Sequence, residues 1–337
     1  MMTGPQQELR PSRPPRPHRR RQPRPRTPYI AGVVILVAAA VALRFAVIHP
    51  APSAASRSSD TLSTKEASYL GVFATGTPDT YQSVSGFTRA AGRQPNLIGY
   101  YSGWDEPFKT GFAQQVRQHG ATTIIQINPT LASVANIAAG QQDAYLHRFA
   151  AAVKAYGHPV VIGFGHEMNA NWYSWGYGQA SPAAFVAAWR HIVTLFRQQG
   201  ATNVTWLWTL QADEKGTGPV ASWWPGASYV NWIGIDGYYY RPTDSFFSVF
   251  GATVAQVRLF TGKPILLSEA AIGPAAGQAA KIPGLFTGMR QYGTLGLVWF
   301  DIAQNDGVYH QDWHLEDNPA AVSAFRHAAS GLALAAP

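Results

Sequence analysis

Short apolar runs alternate with longer amphipathic stretches over most of the chain after residue 68. Most of these runs are rich in Ile, Val, Leu or Trp on both faces, a pattern that is typical of strands buried in a parallel sheet. The predicted strands are Leu70–Phe73, Leu97–Tyr101, Thr123–Ile127, Val160–Phe164, Val204–Trp208, Trp232–Gly237, Pro264–Ser268 and Leu295–Phe300.

The stretches between most of these runs carry the start and stop signals of helices. The clearest is Ser181–Gln199, which has Pro182 in its first turn and Gly200 just beyond its end. The segment between strands five and six is rich in Gly and Trp and has only a weak helical pattern. Eight strands alternating with helices predict a (β/α)₈ TIM barrel over residues 68–332. The alternative is an open doubly wound sheet, but no Gly-rich nucleotide loop follows an early strand.

The segment that precedes the barrel has three parts. Residues 1–28 hold eight Arg and eight Pro, which predicts a disordered tail. Residues 29–48 are almost uninterrupted Ile, Val, Leu and Ala, which predicts one transmembrane helix with Arg44 near its outer end. The positive charge of the tail predicts a cytoplasmic N-terminus and an extracellular barrel at the cell membrane, joined by an Ala/Ser/Pro linker at 49–67. The alternative is a cleaved signal peptide, because small residues follow at 51–55, and the barrel would then be secreted.

The formal net charge of +8 comes almost entirely from this N-terminal segment. From residue 51 onward 17 basic residues balance 17 acidic ones, so we expect no nucleic-acid partner for the folded part. The chain has no cysteine, which excludes a disulfide framework, a thiol nucleophile and a thiolate metal site.

Two glutamates follow predicted strands at matching positions. Glu167 comes after strand four and Glu269 after strand seven, 102 residues on, which is the length of three ordinary strand–helix units. In a barrel both carboxylates would face the same mouth, where active sites of this fold lie. Two carboxylates about 5–5.5 Å apart across a glycosidic bond act as acid and nucleophile with retention of configuration. Two indoles and a phenol follow Glu167 within a few residues, and such rings offer flat apolar faces to pyranose sugars.

These segments resemble glycoside hydrolase family 26, a family of retaining (β/α)₈ glycosidases. The matching motifs are Gly-His-Glu-Met-Asn at 165–169, Trp-Tyr-x-Trp at 172–175, Trp-Ile-Gly-Ile-Asp-Gly-Tyr at 232–238 and Leu-Leu-Ser-Glu at 266–269, with support from 96–104 and 125–129. The likeness extends roughly over residues 68–325. It implies that Glu167 is the general acid/base and Glu269 the nucleophile. One departure is Gln211 after strand five, where the family tends to carry Asn after Pro.

The resemblance also implies a set of substrate-binding side chains. His166 would hydrogen-bond sugar hydroxyls or orient a carboxylate, Tyr238 would donate to Glu269, and Trp299 would form the floor under the sugar being cleaved. The remaining expected contacts are Trp172, Trp175 and Trp104.

The implied substrate is a β-linked polysaccharide, with β-1,4-mannan first, mixed-linkage β-1,3/1,4-glucan as the alternative and β-1,3-xylan third. A non-catalytic barrel that binds cell-surface polysaccharide is the alternative outside enzymes. No cofactor or metal is expected: His310 and His314 stand near several acids, but without a helical pattern they favour a polar loop. The sequence leaves the oligomeric state open.

Overall fold

The computed structural model of the protein describes residues 62–304 and 311–336. In them, eight parallel strands pair in sequence order, and the last strand pairs with the first to close a barrel. The strands are β1 (Tyr69–Ala74), β2 (Leu97–Gly103), β3 (Thr122–Asn128), β4 (Val160–Phe164), β5 (Val204–Gln211), β6 (Trp232–Tyr239), β7 (Ile265–Ile272) and β8 (Gly296–Asp301). The predicted barrel and all eight predicted strands are confirmed. A two-residue hairpin of β9 (Ala303–Gln304) and β10 (Gln311–Asp312) follows at the rim.

Helices connect most of the barrel strands. They are α1 (Gln82–Ala91), α2 (Thr110–Gln118), α3 (Val134–Ala138), α4 (Asp143–Tyr156), α5 (Pro182–Gln198), α6 (Ala252–Arg258), α7 (Gln278–Gln291) and α8 (Pro319–Ser330). Between β5 and β6 the chain instead forms two 3₁₀ turns, Val220–Trp223 and Ala227–Tyr229, in agreement with the weak helical pattern there.

The helix that follows β4 begins where the sequence signals predict. The hydroxyl of Ser181 accepts a hydrogen bond from the Ala184 backbone N–H at 3.1 Å, and Pro182 occupies the first turn, where a missing N–H costs nothing. The helix start therefore fixes the far end of the loop 165–180, which carries Glu167 and the aromatic residues after it.

The barrel wall is buried on both faces, as expected when helices cover the outside and side chains fill the inside. Every residue of β1, β4, β6, β7 and β8 is buried. Polar side chains at the carboxyl ends of these strands are therefore held in a rigid, poorly solvated setting.

The predicted tail, transmembrane helix and most of the linker fall on residues 1–61, outside the described residues. Among the residues that the structure describes, no helix combines the length and apolar character needed to cross a membrane.

Gly296, the first residue of β8, provides a test of how tightly the barrel closes. Its φ is +153°, and a Cβ there would lie 1.9 Å from the backbone oxygen of Tyr69 on β1. We expect Gly296→Ala to lower the free energy of unfolding by about 2–5 kcal/mol, because overpacking and backbone strain act together. Denaturant unfolding followed by tryptophan fluorescence measures the loss.

Gly284→Ala is the matched control for this substitution. Gly284 lies inside α7 with no heavy atom within 4 Å of the added Cβ, so alanine should leave stability unchanged or raise it by up to about 1 kcal/mol. Equal stabilities of the two variants would show that the strand closure tolerates a side chain.

Candidate active site

A cleft of about 500 Å³ opens at the carboxyl ends of the barrel strands. Glu167 and Glu269 both line it, so the structure brings the two strand-end glutamates to one mouth as predicted. The other lining residues are Tyr101, Asn128, His166, Trp172, Tyr173, Gln211, Glu214, Tyr238, Tyr240, Phe300 and Gln304.

Glu167 lies just beyond β4 in an unusual backbone conformation. Its φ is +54°, in the left-handed region that non-glycine residues rarely adopt, and its N–H donates to the Thr209 carbonyl oxygen at 2.9 Å. Such strain costs of order 1–3 kcal/mol and is concentrated at functional sites. The conformation turns the carboxylate into the cleft, where Oε2 accepts a hydrogen bond from the Trp172 indole N–H at 2.7 Å.

Glu269 lies within β7 and is held by two phenols. The hydroxyl of Tyr101 donates to Oε1 and that of Tyr238 donates to Oε2. Both donors stabilise the ionised carboxylate and fix its direction. The predicted contact between Tyr238 and Glu269 is present in the structure.

A third acid, Asp236 on β6, completes a buried carboxylate cluster. One oxygen from each of Glu167, Asp236 and Glu269 lies within 4.8 Å of the others. Ser268 donates to Asp236 Oδ1 at 2.5 Å, while Oδ2 is buried and has no hydrogen-bond partner among the described residues. Burial, followed by the charges of Glu269 and Glu167, raises the pKa of Asp236 well above its usual range.

The environments of the two glutamates separate their protonation states. Burial raises the pKa of Glu167 to about 8, reinforced by the charge of Glu269 and opposed by the Trp172 hydrogen bond. Burial also raises the pKa of Glu269, but to about 7, because Tyr101 and Tyr238 donate hydrogen bonds to its ionised form. Of the two, Glu269 therefore loses its proton first, and Glu167 keeps its proton near neutral pH. A nucleophile must be ionised and a general acid must be protonated, so these states suit Glu269 to the first role and Glu167 to the second.

His166 lines the cleft as predicted, and it is held on both ring nitrogens. Nδ1 lies 2.9 Å from Oδ1 of Asn128 and Nε2 lies 3.2 Å from the hydroxyl of Tyr173. Burial lowers the pKa of His166 to about 3, so the ring is neutral. Because Asn128 Oδ1 can only accept, Nδ1 carries the proton and Nε2 accepts from Tyr173.

Comparison with known proteins identifies the family of this chain. The sequence profile described as Glycosyl hydrolase family 26 matches residues 93–330, more than half of the chain. The chain belongs to glycosyl hydrolase family 26. This confirms the family that the motifs predicted.

Endoglucanase H of Acetivibrio thermocellus is 30% identical over 269 residues, which is 75% of this chain and 29% of that protein. Mannan endo-1,4-beta-mannosidase A and B of Caldalkalibacillus mannanilyticus is 30% identical over 84 residues, 23% of this chain and 16% of that protein. The chain thus spans less than a third of the length of these curated relatives.

Solved structures of family 26 share the fold. A GH26 β-mannanase from Bacteroides ovatus has a TM-score of 0.59 at 14% identity, covering 80% of this chain and 90% of that one. The mannanase of Bacillus subtilis has a TM-score of 0.57 at 17% identity, covering 77% and 85%.

Three of the tryptophans predicted to contact substrate do not line the cleft. Trp299 is fully buried, with its ring against Phe325 of α8 and its N–H donating to the Trp313 carbonyl oxygen at 3.0 Å. Successive residues of a strand face opposite sides, so Trp299 faces the helix layer and its neighbour Phe300 lines the cleft instead. The prediction that Trp299 forms the floor is wrong.

Trp175 and Trp104 are also buried behind the cleft. Trp175 stacks on Tyr173 at 4.4 Å between ring centroids and donates to the His166 carbonyl oxygen at 2.9 Å. Trp104 packs against Tyr145 and donates to Gln142 at 3.0 Å. Trp175 therefore supports the cleft residues Tyr173 and His166 from behind. The prediction that Trp175 and Trp104 contact substrate is wrong, because both rings are packed in the interior. Trp172, 45% exposed at the rim, is the tryptophan that does line the cleft.

Sequence reasoning missed Tyr101, Tyr173 and Asp236 as site residues. All three lie within the motifs that resemble family 26, and of them only Tyr173 carries an expectation, as a ring that offers an apolar face to a sugar. A signal was present for Asp236, because an acid inside an otherwise apolar strand must find a partner or a proton.

Within residues 62–304 and 311–336, two groups of side chains have the geometry to hold a metal ion. Asp312, His314 and Asp317 place one ligand atom each within 4.8 Å of the others near the rim, and the three buried carboxylates of the cleft do the same. In the cleft, the hydrogen bonds from Tyr101, Tyr238 and Trp172 already occupy oxygens of Glu269 and Glu167. His310, the other histidine of the sequence pattern, lies outside the described residues.

The hydrogen bond from Trp172 to Glu167 gives a testable pH effect. It stabilises ionised Glu167 and lowers its pKa, so Trp172→Phe should raise that pKa. A general acid with a higher pKa stays protonated to higher pH, and we expect the alkaline limb of the kcat/KM profile to move upward. Rates measured from pH 5 to 10 test this, with Tyr177→Phe on the same exposed loop as control. An unmoved or lowered limb in Trp172→Phe would contradict the assignment.

Proposed function

We propose that the protein is a retaining endo-β-glycanase that hydrolyses β-1,4-linked polysaccharide by double displacement. Glu269 attacks the anomeric carbon while Glu167 gives its proton to the leaving glycosidic oxygen, and a glycosyl ester forms on Glu269. Glu167 then takes a proton from water, which attacks the same carbon and releases Glu269.

One observation carries this proposal: carboxylate oxygens of Glu167 and Glu269 lie within 4.8 Å of each other, and their donors differ. A separation this short suits direct attack by a carboxylate. Inverting glycosidases need roughly 6.5–9.5 Å to place a water between the two groups.

For the substrate, we propose β-1,4-mannan first. Support comes from family 26 membership and from the local similarity to a mannan endo-1,4-beta-mannosidase. The second candidate is a β-glucan, favoured by the similarity to Endoglucanase H, which extends over three quarters of this chain. In this proposal the barrel works outside the cell, tethered through residues 29–48, as the sequence pattern of the N-terminal segment predicts.

An activity screen on the full-length chain tests the proposal. Mannan, mixed-linkage β-1,3/1,4-glucan and β-1,3-xylan are incubated separately, and new reducing ends are counted. Proton NMR of the first product then distinguishes the anomers, and the β-anomer is expected. Release of the α-anomer would overturn the retaining mechanism. Glycan binding without turnover would favour the non-catalytic barrel.

A further inference from the structure

A second cavity of about 310 Å³ adjoins the cleft on the side of β5 and β6. The two cavities share Gln211, Glu214, Tyr238 and Tyr240, so these side chains form the boundary between them. The far wall includes Arg241 and Asp244 from the loop after β6. The cleft therefore continues past Tyr238 into this second cavity, which has a polar lining.

Glu214 is held at this boundary by an anchored amide. Gln211 Nε2 donates to Glu214 Oε1 at 2.9 Å. Gln211 is itself fixed by buried Asn169, whose Oδ1 accepts from the Gln211 N–H at 2.9 Å and whose Nδ2 donates to the Gln211 carbonyl oxygen at 2.8 Å. This chain thus uses the residue at which it departs from the family pattern to set the position of a carboxylate.

The other acids that line the second cavity already accept hydrogen bonds on at least one oxygen. Asp244 Oδ2 accepts from the backbone N–H groups of Tyr240 and Arg241 at 2.8 Å each. Asp213 accepts from the Thr217 hydroxyl at 3.2 Å and from Gln256 at 3.4 Å. In contrast, Glu214 Oε2 receives no hydrogen bond from residues 62–304 and 311–336. Asp244 Oδ1 also receives none from the described residues, but among the acids of the second cavity Glu214 is the one that lines the cleft as well.

The net charge of the second cavity favours neutral sugars over acidic ones. Its lining carries the acids Asp213, Glu214 and Asp244 against the bases Lys215 and Arg241, a balance of one negative charge. A carboxylate-bearing sugar would meet Glu214 at the entrance and be repelled. Hydroxyl groups of a neutral hexose are good donors to a carboxylate oxygen and good acceptors from a guanidinium.

We propose that the second cavity is a binding subsite for a neutral hexose residue one position beyond the two sugars that the cleaved bond joins. Glu214 accepts hydrogen bonds from the hydroxyls of that residue, and Gln211 is its positioning residue. The inference rests on the proposed function, because it assigns the neighbouring sugar of the same polysaccharide chain.

The test is a chain-length series with the full-length protein and its Glu214→Gln variant. Oligosaccharides of two to six hexoses are taken from the polysaccharide that the parent hydrolyses, and kcat and KM are measured for each. We expect kcat/KM to fall roughly 10- to 100-fold for the longer oligosaccharides, in line with the loss of a hydrogen bond to a charged group. The shortest substrate cleaved does not reach the second cavity, so its kcat/KM should change less than about threefold, near the lower end of the loss for one neutral hydrogen bond.

Glu106→Gln is the matched control, because Glu106 follows β2 at the same mouth, is exposed and pairs with Lys109 at 3.5 Å. It should leave every chain length unchanged. An equal loss at all lengths in Glu214→Gln would overturn the subsite and leave only an electrostatic effect on Glu167. No loss at any length would overturn it as well.

Binding measurements separate this proposal from the proposed function. In a Glu269→Ala background, calorimetric titration with hexaoses of mannan and of mixed-linkage glucan is compared with and without Glu214→Gln. Weaker hexaose binding through Glu214→Gln supports the subsite even if the parent hydrolyses nothing. Equal binding by both proteins, or no binding by either, refutes it, whatever the outcome of the activity screen. Thermal unfolding of each variant confirms that it is folded.

Discussion

Glu269→Ala is expected to lower kcat on the polysaccharide by roughly 10⁴-fold or more, at or beyond the largest loss typical of a single acid–base group. The variant removes the carboxylate that forms the covalent intermediate, and its neighbours do not replace it. Tyr101 and Tyr238 are donors to Glu269, and Asp236 on β6 already accepts from Ser268, while burial raises its pKa well above the usual range. Steady-state release of reducing ends at saturating substrate measures the loss.

Azide distinguishes a missing nucleophile from a damaged site. In Glu269→Ala the anion fits where the carboxylate was and attacks the anomeric carbon from that face, so an activated β-glycoside should yield the α-glycosyl azide. Glu66→Gln, an exposed acid outside the barrel mouth, controls for loss of a carboxylate elsewhere. Activity of Glu269→Ala within tenfold of the parent would contradict the assignment.

The sequence predicts the barrel and its catalytic pair well because both depend on strong, local signals. Each strand is a continuous apolar run, which has one stable position in a helix-covered parallel barrel. Glu167 and Glu269 follow such runs at the same relative point, so the closure of the barrel alone brings them together. Little side-chain detail is needed for this step.

The aromatic residues show where this reasoning stops. Trp299 and Phe300 are adjacent, large and apolar, and the pattern of β8 does not reveal which of them faces the cleft. Trp172 and Trp175 likewise lie three residues apart in one loop, yet one is at the rim and the other is buried under Tyr173. The face of the strand on which a residue lies, and the course of the backbone through the loop, decide these positions. Both depend on packing with distant residues such as Phe325.

The hydrogen-bond partners of Glu269 depend on barrel geometry in the same way. Tyr101 is 168 residues away in sequence, at the end of β2. Nothing in its local pattern distinguishes it from Tyr100, which faces the helix layer and packs against Phe112. The alternation of side chains along β2 places one phenol on the nucleophile and the other in the core.

Glu167→Ala is expected to give the second large effect, and one that depends on the leaving group. On the polysaccharide, kcat should fall about 10²- to 10⁴-fold, because the glycosidic oxygen leaves without a proton. A 2,4-dinitrophenyl β-glycoside needs no proton to leave, so its first step should survive. Water is then not activated, and the glycosyl ester on Glu269 accumulates as a burst of released phenol.

The pH profile of this variant completes the argument for Glu167. The pKa of Glu167 is about 8, so the parent should lose activity as the pH rises through that value and the acid ionises. With the dinitrophenyl substrate, Glu167→Ala should lack this alkaline limb, and azide should speed turnover to the β-glycosyl azide. Retention of the limb in the variant would assign it to another group, and equal losses on both substrates would show that Glu167 is not the proton donor.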